Sequence, residues 1–200
     1  MYTIDTYTSD TISDYDFSRI ESFVNSELGN TRDEAAVNMA WESPHGYLYN
    51  VKNKLRWHSN CGIMNTASVN DAIVAVSAVE YPEDATDWAI GGNRTWISPD
   101  YRTRHAASAM MRYQVEWARE RDCDFMLLTF NEYNKSVNLA LQRGFSYLKS
   151  RGWNDWWADC IPVPDTIVVR NTIQWAVIKP VHCDSATNNL QKLELWNKRK

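Results

Sequence analysis

The stretch WISPDYRTRHAASAMM, Trp96 to Met111, decides how the rest of the chain reads. It starts as the end of a strand, passes through Ser98-Pro99-Asp100 into a cationic turn, and enters a run of small residues that opens a helix. The first turn of a helix has N–H groups without intrahelical partners and carries the positive end of the macrodipole, so it attracts phosphate oxygens. Arg102 and Arg104 add charge-assisted donors beside it. Small side chains at Ala106, Ala107 and Ser108 let a bulky pyrophosphate approach the backbone. Where such cradles usually carry glycine, this chain has His105. An ordinary strand-to-helix junction with surface arginines is the competing reading.

Working outward, Trp88 to Ile97 reads as a strand interrupted by Gly91-Gly92, a pair that suggests a bulge, a splay or a close approach by another backbone or a ligand. The helix after the turn runs to about Arg121, with Ala107, Met111, Val115 and Ala118 as a buried stripe broadened by Met110, Tyr113 and Trp117. Upstream, Ala72 to Val79 is a nearly continuous run of β-branched and small residues, as expected of a central strand covered on both faces, and Glu80 stands at its end.

Toward the N-terminus, Tyr2 to Thr8 reads as a first strand. Ser13 or Asp14 caps a helix to about Leu28, which Gly29-Asn30 ends. A second helix starts at Thr31-Arg32-Asp33-Glu34 and runs before Pro44. Tyr47, Tyr49 and Val51 alternate in a strand that Leu55 and Trp57 continue, and a loop is expected around 61–70. Downstream come a strand at Phe125–Phe130, a helix from Asn134 closed by Gly144, a strand at Phe145–Lys149, and a hairpin from 166–169 and 172–178. Residues 1–180 then form one domain, 150–165 an aromatic insertion with Trp153, Trp156 and Trp157, and 181–200 a polar, basic tail. The fold class is α/β with α+β character, a central mixed sheet flanked by helices.

From Ala89 to Tyr147 the pattern resembles the GNAT superfamily of acyl-CoA-dependent N-acyltransferases. Ile97-Ser98-Pro99-Asp100-Tyr101-Arg102 matches the family's lead-in, Arg102 to Ala107 its loop at the first and last defined positions, and Gly144-Phe145 its close. The resemblance implies a GNAT fold and transfer of an acetyl or similar acyl group from acyl-CoA to a primary amine, by direct attack in a ternary complex. It implies a pyrophosphate held by Arg102, Thr103, Arg104, His105, Ala106, Ala107 and Ser108, and a pantetheine arm pairing with the backbone of Thr95, Trp96 and Ile97. The helix asparagine that many members use falls at Tyr133 or Asn134. Several positions depart from the pattern. Ala140 stands where many members carry a general-acid tyrosine, and Gly91 where some hold a base glutamate. Glu80 as base and Tyr133 as proton donor to the departing thiolate are the candidate replacements, with Asp87 and Tyr147 behind them. A strand-end surface charge and a packing aromatic are their bland readings. The rival function is a catalytically inactive GNAT-like binding or assembly module, suggested by His105, Ala140 and Gly91.

Bulk properties narrow the rest. Two hundred residues, 44% hydrophobic and 23% charged, suit one globular domain that needs no disulfide or structural metal. The net charge of -4 argues against a protein that coats nucleic acid. Acids concentrate in residues 1–34, where a cationic acceptor or simply water is the expected neighbour. Cys61, Cys123, Cys160 and Cys183 form no CxxC pair, and His45, His58, His105 and His182 have no metal-ligand spacing, so no metal site is expected. Cys123 and Cys160 read as small buried side chains. No secretory signal or membrane-spanning run is visible, which makes the cytoplasm the expected address. The acceptor is a small-molecule or protein amine, and exposed tryptophans would favour a homodimer.

Overall fold

The structure, a computed structural model, describes residues 1–8, 10–29, 48–51, 54–57, 61–80, 87–102, 105–130, 160–163, 167–169, 172–182 and 186–197. The chain divides into two compact units, Met1–Glu83 with Gly92–Gln114, and Asp84–Gly91 with Val115–Lys200. The expected helix from Thr31, helix from Asn134, strand at 145–149 and three insertion tryptophans lie outside the described residues.

In the first unit, strand β1 (Thr3–Tyr7) is followed by helix α1 (Asp14–Gly29). The helix starts where the sequence places it. Ser13 Oγ accepts from the Asp16 N–H at 3.1 Å and donates to the Asp16 carboxylate at 2.5 Å, satisfying a first-turn donor that would otherwise be orphaned. Asp14 and Asp16 also face the positive end of the helix dipole. The short strands β2 (Leu48–Val51) and β3 (Lys54–Trp57) form an antiparallel pair closing at Val51↔Lys54. The sequence reading made them one continuing strand; the chain instead reverses between them.

A second correction concerns residues 61–70. They are not a loop: strand β4 (Cys61–Val69) lies between β1 and strand β5 (Ala72–Glu80), antiparallel to both. Its apolar alternation is masked by Asn65, Thr66 and Ser68, all buried. The turn chemistry was nonetheless in view. Asn70 and Asp71 have φ of 49° and 64°, the two left-handed residues that a tight primed hairpin turn requires. Arg19 ties α1 to this tip by donating to the Asp71 carbonyl at 2.5 Å. Ile20 and Val24 of α1 pack on Met64, Val76 and Ala78.

Strand β6 (Trp88–Ile97) contributes residues 92–97 to the first unit, and helix α2 (Ala106–Arg119) contributes 106–114. Ala106 and Met110 pack against Ala67, Val74 and Ala75. Gln114, four residues past Met110, continues that face and is fully buried, whereas Tyr113, expected in the stripe, is exposed.

In the second unit, residues 88–91 of β6 run parallel to β7 (Phe125–Phe130), from Trp88↔Phe125 to Gly91↔Leu128. The register ends at the first of the paired glycines. Strands β8 (Ile161–Pro162), β9 (Ile167–Val169) and β10 (Thr172–Pro180) complete the unit, with β10 antiparallel to β7, β8 and β9. The sheet is therefore mixed, with the expected closing hairpin at its end. Its core stacks Trp88 on Phe125 at 5.4 Å, with Ile90, Leu127, Ala176 and Ile178.

The final correction is to the C-terminal tail. Ala186–Asn197 is helix α3, with Leu193 buried and Leu190 packed on the same core. Leu190 and Leu193, three residues apart, share one side of an otherwise mostly polar helix, a weak apolar signal in the sequence. Lys192 of α3 bonds the Asp124 carboxylate and lies 3.3 Å from Asp87. Asp124 also takes hydrogen bonds at its carbonyl from the N–H groups of Val181 and His182. The chain is thus α/β of α+β type, with mixed sheet and flanking helices.

Candidate functional site

The turn between β6 and α2 is built within the first unit. Along β6, side chains alternate: Trp96 joins the apolar cluster beneath α1, while Thr95 and Ile97 face α2. Strand pairing continues one residue past β6, where the Ser98 N–H donates to the Val74 carbonyl at 2.9 Å. Pro99 then opens a single 3-10 turn, Pro99–Tyr101, because its fixed φ suits a first helical position and it needs no donor. The Tyr101 N–H closes it on the Ser98 carbonyl at 2.8 Å.

Arg102 follows, exposed, and donates through Nε to the Ile97 carbonyl at 3.2 Å. That bond straps the turn to the end of β6 and leaves the two Nη groups directed elsewhere on the guanidinium fork. Thr103 and Arg104 lie outside the described residues. His105 is exposed with φ of 62°. A Cβ in the left-handed region costs about 1–2 kcal/mol, which is why glycine is the usual occupant. The backbone here has the conformation a glycine would take, with an imidazole added.

The His105 carbonyl accepts the Ala109 N–H at 3.0 Å, so α2 starts directly after this residue. Ala106 and Ser108 are buried and Ala107 is half-buried, so no bulky side chain stands over the helix start at these positions. Nearby, the Gln114 amide donates to Ser77 Oγ at 3.0 Å, and Ser77 Oγ lies 2.8 Å from Thr95 Oγ1. Sequence reading passed over Gln114 and Ser77. The signal was a glutamine in step with Ala106 and Met110 at helical spacing.

The catalytic candidates are placed unevenly. Glu80 is the last residue of β5, opposite Cys61 in the register. Tyr133, Asn134 and Tyr147 lie outside the described residues. Asp87, a secondary candidate, is an ion partner of Lys192, and its carbonyl accepts the Asp124 N–H at 2.8 Å. That is the work of a structural clamp. Gly91 is buried and ends the β6–β7 register.

Cys123 and Cys160 are buried, as expected. Burial pushes the Cys123 thiol up, away from a reactive thiolate. Among the described residues no group of acids, cysteines or histidines is arranged to hold a metal, and no helix is long and apolar enough to cross a membrane. A shallow groove beside α1, lined by Tyr15, Arg19, Phe23, Asp71 and Ile73, shares no residue with the turn.

A family model described as the acetyltransferase (GNAT) family matches residues 28–145, more than half of the chain and including the whole turn. Comparison with curated proteins gives no match. Among solved structures, the chain is similar to a GNAT-family protein from Desulfovibrio desulfuricans, at 10% identity and a TM-score of 0.53, over 90% of this chain and 100% of that one. It is also similar to ElaA from Escherichia coli, at 13% identity and a TM-score of 0.50, over 90% and 99%. At such identity these likenesses speak for the fold alone. With the family model spanning the strand, turn and helix described above, the chain belongs to the GNAT acetyltransferase family.

Proposed function

We propose that the protein is an N-acyltransferase that moves an acetyl or similar acyl group from acyl-CoA to a primary amine. The observation that carries this reading is the turn at 98–108. His105 stands in the left-handed region that glycine enters most readily, small residues open the helix, and Arg102 is strapped to the end of β6. In this reading the N–H groups of α2 and the Nη groups of Arg102 hold the pyrophosphate, joined by Thr103 and Arg104. The pantetheine arm pairs with the backbone of Thr95 to Ile97, and Asn134 contacts the cofactor.

The chemistry is a direct displacement. The amine nitrogen attacks the thioester carbonyl, the C–N bond forms as the C–S bond breaks, and thiol leaves. The amine must lose a proton and the thiolate must gain one. Glu80 is proposed for the first transfer, directly or through water, and Tyr133 for the second. The buried Cys123 and Cys160 suit neither role of a covalent acyl carrier, which favours direct attack.

Acetyl-CoA titration by calorimetry, with thermal unfolding alongside, tests the reading. Binding should raise the melting temperature by mass action. No binding at millimolar acetyl-CoA would sink it. Binding without amine-dependent thiol release would select the alternative, a non-catalytic module, which the imidazole at His105 and the absence of a carboxylate at Gly91 favour. A panel of small and protein amines in that release assay identifies the acceptor. No membrane or nucleic-acid partner is part of the proposal, which places the protein in the cytoplasm.

A further inference from the structure

The buried face of α2 is not uniformly apolar, and its exception is ordered. Ala106, Met110 and Gln114 recur every four residues on that face, and the third is polar and fully buried. Beneath it the sheet carries a transverse row of polar side chains: Thr6 on β1, Asn65 on β4, Ser77 on β5 and Thr95 on β6. Thr6 and Asn65 are register partners and bond at 2.8 Å; Asn65 and Ser77 are register partners; Ser77 and Thr95 bond at 2.8 Å. Asn65 Oδ1 makes no hydrogen bond, so the row is two bonded segments and not one wire. Gln114 joins the second segment through Ser77.

Apolar contacts are non-directional, so the packing of Ala106 and Met110 on Ala67, Val74 and Ala75 specifies the position of α2 along its axis less sharply than a hydrogen bond does. A hydrogen bond from a buried amide has one good geometry, and moving the helix by a fraction of a turn breaks it. Gln114 lies two turns, about 12 Å, from Ala106, close enough for the helix to transmit its position rigidly. Ser77 meanwhile holds Thr95, and Arg102 holds the Ile97 carbonyl two residues on. Ser77 is therefore a buried serine that connects α2 to β6.

From this we propose that Gln114, acting through Ser77 and Thr95, is a positioning residue that sets the axial register of α2, and so the height of its first turn against the pyrophosphate of acyl-CoA. This role rests on the reading of the turn given above. A shift of an ångström at the helix start would misplace the N–H groups without unfolding the unit.

The test uses the full-length chain and two acyl donors, acetyl-CoA and S-acetylpantetheine, which lacks the pyrophosphate. Gln114→Leu keeps most of the volume and removes the donor. The KM for acetyl-CoA should rise roughly tenfold with kcat within about twofold, and the calorimetric Kd should rise in parallel. With S-acetylpantetheine, KM should not change. Ser77→Ala should reproduce the pattern, and the double variant should be no worse than the more severe single one, since both cut the same connection. An equal loss with both donors would mean general loosening and would overturn the role, as would an unchanged Kd for acetyl-CoA. If the unaltered chain fails to bind acetyl-CoA, the site falls and this role falls with it. Binding by the unaltered chain and equal binding by Gln114→Leu reject the positioning role alone.

Discussion

The two faces of the first unit's sheet hold their helices by different means. Under α1, Ile20 and Val24 meet Met64, Val76 and Ala78, with Phe17, Phe23 and Trp96 around them. Under α2, Ala106 and Met110 meet Ala67, Val74 and Ala75, with Tyr2, Ile4, Val69, Ile97 and Tyr101 around them, and the polar row through Ser77 lies alongside. The first face gains by area removed from water, which resists separation but specifies position weakly. The second adds directional bonds to its apolar contacts. The helix that needs accurate placement is the one whose first turn is the candidate phosphate site.

The largest expected contrast comes from emptying the α1 face. Met64→Ala removes a fully buried side chain and should destabilise the protein by about 2–5 kcal/mol in urea unfolding, the usual range for such cavities. Acetyl-CoA affinity in the folded protein should stay put; a parallel loss would show that both faces serve the site. Arg102→Ala should do the reverse. Its guanidinium is exposed, so unfolding should hardly change, while acetyl-CoA affinity drops roughly tenfold, the lower part of the range for hydrogen bonds to charged groups. An unaltered affinity would refute the placement of the pyrophosphate.

A smaller effect is expected at His105. Glycine there relieves the left-handed Cβ and should stabilise the chain by up to about 1 kcal/mol, partly offset by the freer unfolded chain. Binding of acetyl-CoA to His105→Gly should be as tight as before or tighter; weakening would identify the imidazole as a phosphate ligand.

The smallest is a pH effect in the second unit. The Lys192 ammonium is held above the usual lysine range, chiefly by its bond to the Asp124 carboxylate, against desolvation and with help from Asp87. A folded pKa above the unfolded one adds stability that is complete below the unfolded value and is lost as pH rises through the folded value. Stability should therefore decline on the alkaline side by an increment that Lys192→Met lacks. Lys192 is more than a third exposed, so solvent screening keeps that increment small. Identical alkaline limbs in the two proteins would show that the clamp contributes nothing.

Much of the fold was legible because its signals are local. The capped start of α1 at Ser13, the continuous apolar strand β5, and the step from Pro99 through Arg102 into α2 each depend on a few adjacent residues. Strand β4 was missed because Asn65, Thr66 and Ser68 look like loop residues until partners such as Thr6 are placed beside them. Helix α3 was missed because, among the described residues, its apolar contacts with the core come from Leu190 and Leu193, set in a mostly polar run. In the candidate site, Arg102 and the small residues of α2 were readable from spacing, while Gln114 and Ser77 were not, since 37 residues separate the partners of one hydrogen bond.

The sequence by itself determined that a cationic turn leads from a strand into a helix of small residues, because strand ends, proline turns and helix starts are set by neighbouring side chains and backbone sterics. Only the tertiary structure decided that His105 stands in the left-handed region, that β4 separates β1 from β5, and that one buried serine joins α2 to β6. These depend on which distant groups become neighbours once the sheet forms. A buried polar group is tolerated only where such a neighbour meets it.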